Sequence, residues 1–92
     1  MTLTKEMKNN LCTNLGANLS TIRAKTSISQ DELASKLGIT RQTITAIETK
    51  RRVMQWSTFV SLILLFSRND EAKSMMEFMG VYTNDVKKAL EI

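Results

Sequence analysis

The stretch Ser29-Gln-Asp-Glu-Leu-Ala-Ser-Lys-Leu-Gly-Ile-Thr-Arg-Gln-Thr-Ile-Thr-Ala-Ile-Glu48 decides the fold of this chain. Ser29 and Glu32 have the Ser-x-x-Glu spacing of a capping box, which predicts that a helix begins near Gln30. The apolar residues that follow at helical spacing are Leu33, Ala34 and Leu37. Gly38 predicts the end of this helix, because glycine adopts the left-handed conformation without strain at a Cβ atom. The stretch therefore begins with one short helix and a tight turn.

A second short helix is expected after the turn at Gly38 and Ile39. Thr40 can cap its first turn, and Ile44 and Ile47 lie three residues apart on an edge that can dock on the preceding helix. Four residues of this helix remain on the outward side, namely Arg41, Gln42, Thr45 and Ala46. The pattern predicts two packed helices, of which the second presents a row of mainly polar side chains.

This spacing resembles the phage-repressor-like helix-turn-helix family, of the Xre or Cro type, over about residues 15–66. The positions that carry the resemblance are a small residue at the helix crossing, a turn glycine and two apolar residues, found here as Ala34, Gly38, Ile44 and Ile47. The resemblance implies an all-α fold, a compact five-helix lambda-repressor-like DNA-binding domain, and the sequence adds an extra short C-terminal helix. It also implies a structural ion pair between Arg23 and Glu48.

One segment departs from the family pattern. After Glu48 the family usually shows a glycine, basic residues and a proline, whereas this chain continues Thr49-Lys50-Arg51-Arg52-Val53-Met54. We expect the second helix to end by another route, with Lys50 itself near left-handed geometry.

The resemblance implies binding to double-stranded DNA, and groove geometry suggests which residues take part. A recognition helix enters the major groove end-on, so Arg41 and Gln42 are the strongest candidates for contacts with guanine and adenine. Thr45 and Ala46, one turn further on, lie where a thymine methyl could be contacted. Gln30 resembles the family residue that clamps a phosphate. The other phosphate candidates are Thr40, Thr43, Lys50 and Arg51.

Charge is distributed unevenly along the chain, whose formal net charge is +4. Residues 1–56 contain nine Lys and Arg against four Asp and Glu, a net charge of +5, whereas residues 57–92 have a net charge of −1. The basic part contains the two-helix stretch, which favours phosphate contacts. The run Lys50-Arg51-Arg52 has two interpretations, a phosphate-binding segment beside the groove or a solvated turn.

The length of 92 residues predicts one domain, residues 1–92, with helix-turn-helix residues 29–48 and without a second fold. Cys12 is the only cysteine, which fits a reducing cytoplasm, and we expect a structural thiol. The chain has no histidine, no carboxylates clustered in a pocket-forming pattern and no glycine-rich phosphate loop. We therefore expect neither an enzyme nor a metal or cofactor.

The segments on either side of residues 29–48 also have helical patterns. An apolar stripe over residues 4–25 predicts one long helix or two helices, with a possible interruption at Gly16. Trp56 to Phe66 is the most apolar segment, but it is shorter than the about 20 residues that span a bilayer, so we predict a buried helix and no membrane contact. Two later helices should start at Asn69 or Asp70 and at Thr83 or Asn84, and the first of these should stop near Gly80.

One recognition helix covers only a few base pairs, so we predict a homodimeric repressor on an inverted repeat, with half-sites about 34 Å apart. Residues 56–92 are the predicted dimerisation region, because they have more apolar surface than a small domain needs. The predicted interface residues are Phe66, Met75, Met76, Met79 and Tyr82. The methionines fit core filling equally well. The alternative function is an antitoxin or adaptor whose main partner is another protein.

Overall fold

A computed structural model describes residues 3–92 and shows six helices and no strand in that range. The helices are α1 (Lys5–Thr26), α2 (Gln30–Leu37), α3 (Arg41–Glu48), α4 (Trp56–Phe66), α5 (Asp70–Met79) and α6 (Asn84–Leu90). The predicted all-α fold of five helices and a short C-terminal helix is confirmed. The stripe before residue 29 forms one helix of 22 residues and not two.

Side-chain caps fix the starts of the two helices that matter most for the site. The Ser29 hydroxyl accepts from the Glu32 N–H at 3.0 Å, and the Glu32 carboxylate accepts from the Ser29 N–H at 3.2 Å, which is the predicted capping box. The Thr40 hydroxyl accepts from the Thr43 N–H at 3.2 Å at the start of α3. Three other helices are capped in the same way, by Thr4, Asn69 and Thr83.

Left-handed residues end the helices on either side of the turn. Gly38 has φ +70° between α2 and α3, as predicted. Lys50 has φ +63° after α3, so the predicted left-handed lysine is confirmed. The N–H of Arg51 donates to the carbonyl of Ala46 at 2.9 Å, which closes the end of α3 without glycine. The path of the chain toward α4 is thus set by backbone hydrogen bonds.

The long helix α1 lies at the centre, with α3, α4 and α5 packed against it. Gly16 allows α1 and α3 to cross closely, because a Cβ atom at this position would lie 3.2 Å from Cγ2 of Ile47. The core contains residues from every helix, including Leu15, Leu19, Ile22, Leu33, Ile44, Phe59, Leu62, Met76 and Val86. The two-helix unit α2–α3 therefore packs on a continuous apolar core.

Two of the predicted interface residues were assigned wrongly. Phe66 and Met76 are 1% and 0% exposed and belong to the core of the single chain, so they have no surface to offer a partner. On α5 the buried positions are Ala72 and Met76, four residues apart, because this edge faces α1. The amide of Asn14 donates to the carbonyl of Met79 at 2.8 Å and ties the end of α5 to α1.

None of the helices described here is both long and apolar enough to cross a membrane.

Candidate nucleic-acid interface

The outward face of α3 begins with two freely accessible side chains. Arg41 and Gln42 are exposed, and Thr45 and Ala46, one turn later, are partly buried. The opposite edge is held in the core by Ile44 and Ile47, which are 0% and 3% exposed. The fixed inner edge means that the row from Arg41 to Ala46 has a defined orientation, as the sequence pattern predicted.

An ion pair joins the end of α3 to α1. The guanidinium of Arg23 donates through Nε and Nη2 to the two carboxylate oxygens of Glu48, at 2.6 and 2.9 Å, and through Nη1 to the carbonyl of Ile28 at 3.1 Å. Burial raises the pKa of Glu48, but the hydrogen bonds from Arg23 and Gln30 and the charge of Arg23 outweigh it, so this pKa lies below its ordinary value. The Glu48 bond also raises the pKa of Arg23. Both partners are therefore ionised at neutral pH.

Gln30 connects this partly buried pair to the outward row. Its Nε2 donates to Oε1 of Glu48 at 2.8 Å, which fixes the amide, because a carboxylate can only accept a hydrogen bond. Its Oε1 accepts from Nε of Arg41 at 3.3 Å and from the Thr45 hydroxyl at 3.4 Å. One N–H of the amide is thus occupied, and the second is the donor that Gln30 can still offer to a phosphate.

In the free protein, Arg41 lies across the start of α2. Besides its hydrogen bond with Gln30, its Nη1 lies 3.6 Å from a carboxylate oxygen of Asp31. The two charged side chains are 63% and 72% exposed, so their ion pair contributes little to stability. Because this ion pair is weak, the guanidinium can leave Asp31 and extend toward a base edge while its Nε stays beside Gln30.

Cations follow α3 directly. Lys50, Arg51 and Arg52 are all exposed, and Nε of Arg51 donates to the Thr49 hydroxyl at 3.1 Å. The next helix, α4, begins after Gln55 and is the one described helix without a side-chain cap. Cationic side chains and uncapped N–H groups therefore lie close in sequence after α3, and both suit an anion.

Hydroxyl groups face outward on the other side of α3. The hydroxyl oxygens of Thr40 and Thr43 lie 3.0 Å apart, and either can donate to the other. Thr40 is exposed and Thr43 is partly buried. Both can rotate to donate to a phosphate oxygen, which is the contact predicted for them.

The remaining predicted interface residues lie on α5 and in the segment after it. Met75, Met79 and Tyr82 are partly buried. The prediction missed their neighbour Phe78, which is 90% exposed. The sequence carried no signal for this exposure, because only the docking of α5 on α1 buries Met76 and thereby leaves Phe78, two residues later, on the other face of the helix.

Phe78 stands beside a groove of 350 Å³, which Met75 and Met79 also line. Lys25 and Glu71 form part of the same groove, with the ammonium 3.6 Å from a carboxylate oxygen. This surface, formed by Lys25, Glu71, Ser74, Met75, Phe78 and Met79, is called the Phe78 surface below. It combines a projecting ring, an apolar groove and one charge of each sign.

The described side chains include no cluster of His, Cys, Asp or Glu that could hold a metal ion. A family model described as helix-turn-helix domain matches residues 14–72, more than half of the chain. No curated protein and no solved structure matches the chain. The matched range contains α2, α3 and α4, together with most of α1. It also contains residues 49–55 between α3 and α4, which carry the run Lys50-Arg51-Arg52 and are called the basic loop below.

Proposed function

The chain belongs to the helix-turn-helix domain family, and on this premise we propose that it is a sequence-specific DNA-binding regulator, a homodimeric repressor of the Xre type that binds an inverted repeat. The observation that carries the proposal is the exposed start of α3, where Arg41 and Gln42 project from a helix whose other edge is buried. A helix presented in this way fits the major groove of B-DNA.

In this proposal the outward row reads the bases. The guanidinium of Arg41 forms a fork that matches the O6 and N7 acceptors of guanine, and the amide of Gln42 matches N6 and N7 of adenine. Thr45 and Ala46 lie deeper along the same face and would contact a thymine methyl. Gln30 orients Arg41, because its amide oxygen accepts a hydrogen bond from Nε of the guanidinium. The other N–H groups of Arg41 remain free to donate to a base.

Phosphate contacts position the helix in the groove. Lys50 and Arg51 supply cations at the end of α3, and the hydroxyls of Thr40 and Thr43 supply donors at its start. Gln30 adds its second amide N–H. Contacts of this kind fix register and orientation and carry no sequence information, so they weaken with salt on every DNA sequence.

A second copy of the chain is needed for useful specificity, because one helix covers only a few base pairs. We place the interface at the Phe78 surface and keep Met75, Met79 and Tyr82 from the predicted set. Self-complementarity supports this choice, because a two-fold axis can bring the projecting Phe78 of each copy to the groove of the other. The same axis can pair Lys25 of one copy with Glu71 of the other.

The alternative is an antitoxin or adaptor with another protein as its main partner. The exposure of Phe78 is the observation that favours it, because a foreign protein could occupy this surface as well as a second copy. In either case we propose a cytoplasmic protein that works without catalysis, cofactor or membrane.

The experiment that tests the function is a selection from DNA. The purified chain is mixed with fragmented DNA of its own host at near-physiological salt, and the bound fragments are sequenced. We expect enrichment of an inverted repeat with half-sites about one helical turn apart. The variant that carries both Arg41→Ala and Gln42→Ala is the control and should lose the enrichment. Recovery that is absent or independent of sequence, from a folded protein, would support the protein-binding alternative instead.

A further inference from the structure

A hollow of about 170 Å³ lies between α1 and the loop that follows α3. Its walls are mainly apolar and come from Cys12, Gly16, Ala17, Ile47 and Val53. Lys50 and Arg52, both exposed, also line it. The hollow therefore combines an apolar interior with two cations that belong to the basic loop of the DNA interface.

The hollow is a built part of the fold. Gly16 has no side chain to fill it, and a Cβ atom there would crowd Ile47 at 3.2 Å, so the close crossing of α1 and α3 keeps this wall bare. Val53 is 49% exposed, so this apolar side chain of the lining stays half in solvent. A cavity of about 150 Å³ with apolar walls holds one benzene ring, so the space fits a ligand of that size.

The charges of the lining favour an anion. Lys50 and Arg52 are the ionised groups of the lining, and no carboxylate takes part in it. Burial raises the pKa of the Cys12 thiol, so this wall stays neutral and does not repel a negative ligand. Lys50 has a left-handed backbone at the end of α3, and from this position it lines the hollow.

We propose that this hollow binds a small monocarboxylate with a single ring, whose ring enters between α1 and Ile47 and whose carboxylate pairs with Lys50 and Arg52. Because Lys50 is also a phosphate contact in the proposed function, the ligand and DNA compete for it. The bound acid therefore weakens DNA binding, and DNA weakens binding of the acid by the same factor. This regulatory consequence rests on the proposed function, whereas the ligand site itself does not.

Benzoate is a suitable probe for the site, and benzamide, which has the same ring but no charge, is the control ligand. Each is titrated into the full chain without DNA, and the backbone amide signals are followed by NMR. We expect saturable shifts around residues 12–17, 47 and 50–53, with benzoate binding about tenfold more tightly than benzamide. Shifts that do not saturate, that spread over all basic residues, or that are equal for the two probes would overturn the proposal.

Three variants sharpen the result. Ala17→Leu fills the hollow from an exposed wall position and should abolish the benzoate shifts, whereas Ala24→Leu, at an exposed position of α1 outside the lining, should preserve them. Arg52→Gln should reduce the preference for benzoate over benzamide. If Ala17→Leu binds benzoate as the unchanged chain does, the ligand lies elsewhere and the proposed site is wrong.

A DNA-binding experiment tests the competition between ligand and DNA separately from the ligand site. With an enriched operator fragment in hand, saturating benzoate should lower its affinity several-fold, and benzamide at equal concentration should not. If the affinity for the operator is unchanged while benzoate is bound in the hollow, ligand and DNA do not compete, but the ligand site is confirmed. If the chain binds no DNA, the proposed function fails, and the NMR titration still decides whether the site exists.

Discussion

Nε2 of Gln30 lies 2.8 Å from Oε1 of Glu48, and this hydrogen bond joins the start of α2 to the end of α3. Glu48 is at the same time the partner of Arg23, so the amide links a partly buried ion pair to an exposed surface. Since Glu48 can only accept, the oxygen of Gln30 has to face Arg41. The group that stabilises the two-helix unit therefore also orients the side chain proposed to read a base.

Glu48→Gln should destabilise the fold by about 2 kcal/mol, because the charged hydrogen bonds with Arg23 are replaced by weaker ones in a site where the carboxylate is 7% exposed. Urea unfolding at pH 7, followed by circular dichroism, measures the loss. An unchanged midpoint would show that the pair contributes nothing to stability.

The loss of stability in Glu48→Gln should decrease as the pH falls. The pKa of Glu48 is lower in the folded state than its ordinary value, so its contribution is complete above the unfolded pKa of about 4.3 and is lost as pH falls through the folded pKa. The difference in unfolding free energy between the unchanged chain and Glu48→Gln should therefore narrow in acid. Glu77→Gln, on an exposed carboxylate outside the described ion pairs, is the control.

Arg41→Ala should reduce affinity for the preferred DNA site by about 1 to 3 kcal/mol and relax the choice of base at one position. The cost to folding should be small, because the contacts of Arg41 in the free protein are exposed. Titration of the preferred site and of its single-base variants measures both effects. Arg68→Ala, an exposed cation outside the interface, is the control, and equal losses in the two variants would remove Arg41 from base reading.

Lys50→Ala together with Arg51→Ala should weaken binding to all DNA sequences alike and flatten the dependence of affinity on salt, because two phosphate contacts are removed. Affinity measured over a range of salt concentrations gives the slope. The control variant, Arg68→Ala with Lys88→Ala, removes two exposed cations elsewhere and should keep the salt slope of the unchanged chain. An unchanged salt slope in the variant with Lys50→Ala and Arg51→Ala would show that other residues contact the phosphates.

Local features of the fold were predictable from the sequence, because neighbouring residues determine them. The capping box of Ser29 and Glu32, the turn at Gly38 and the left-handed Lys50 each follow from a few adjacent residues and their backbone preferences. The outward row of α3 was predictable too, since Ile44 and Ile47 fix which edge is buried. These elements carry most of the candidate interface.

Features that depend on packing between distant helices were not predictable. Met75 and Met76 are adjacent and chemically identical, and only the docking of α5 on α1 decides that Met76 is buried. The same docking leaves Phe78 in solvent. The amide of Gln30 gave no sequence signal of its orientation, because its partner Glu48 lies 18 positions later. The hollow beside Gly16 likewise needs three separate segments to form.

Lys50→Gly should raise stability and lower DNA affinity, which are opposite changes from one substitution. Glycine relieves the left-handed strain at φ +63° and should add about 0.5 to 1 kcal/mol to the free energy of unfolding, after its larger backbone entropy is counted. Loss of the cation should lower the salt slope by about one. Lys50→Ala is the matched variant, because it loses the charge and keeps the strain. It should share the DNA effect but not the gain in stability.

Phe78→Ser should convert a dimer into a monomer and leave the fold of each chain intact, because the ring is 90% exposed and takes no part in the core. Sedimentation in the absence of DNA measures the association, and thermal unfolding verifies the fold. Leu64→Ser removes another exposed apolar side chain, 44% exposed and outside the Phe78 surface, and should keep the dimer. The Phe78→Ser monomer should still bind a half-site weakly and lose affinity for the whole repeat. This result would separate dimerisation from base reading. A dimer that survives Phe78→Ser would move the interface away from this surface, and a monomeric parent chain would favour a foreign protein as its occupant.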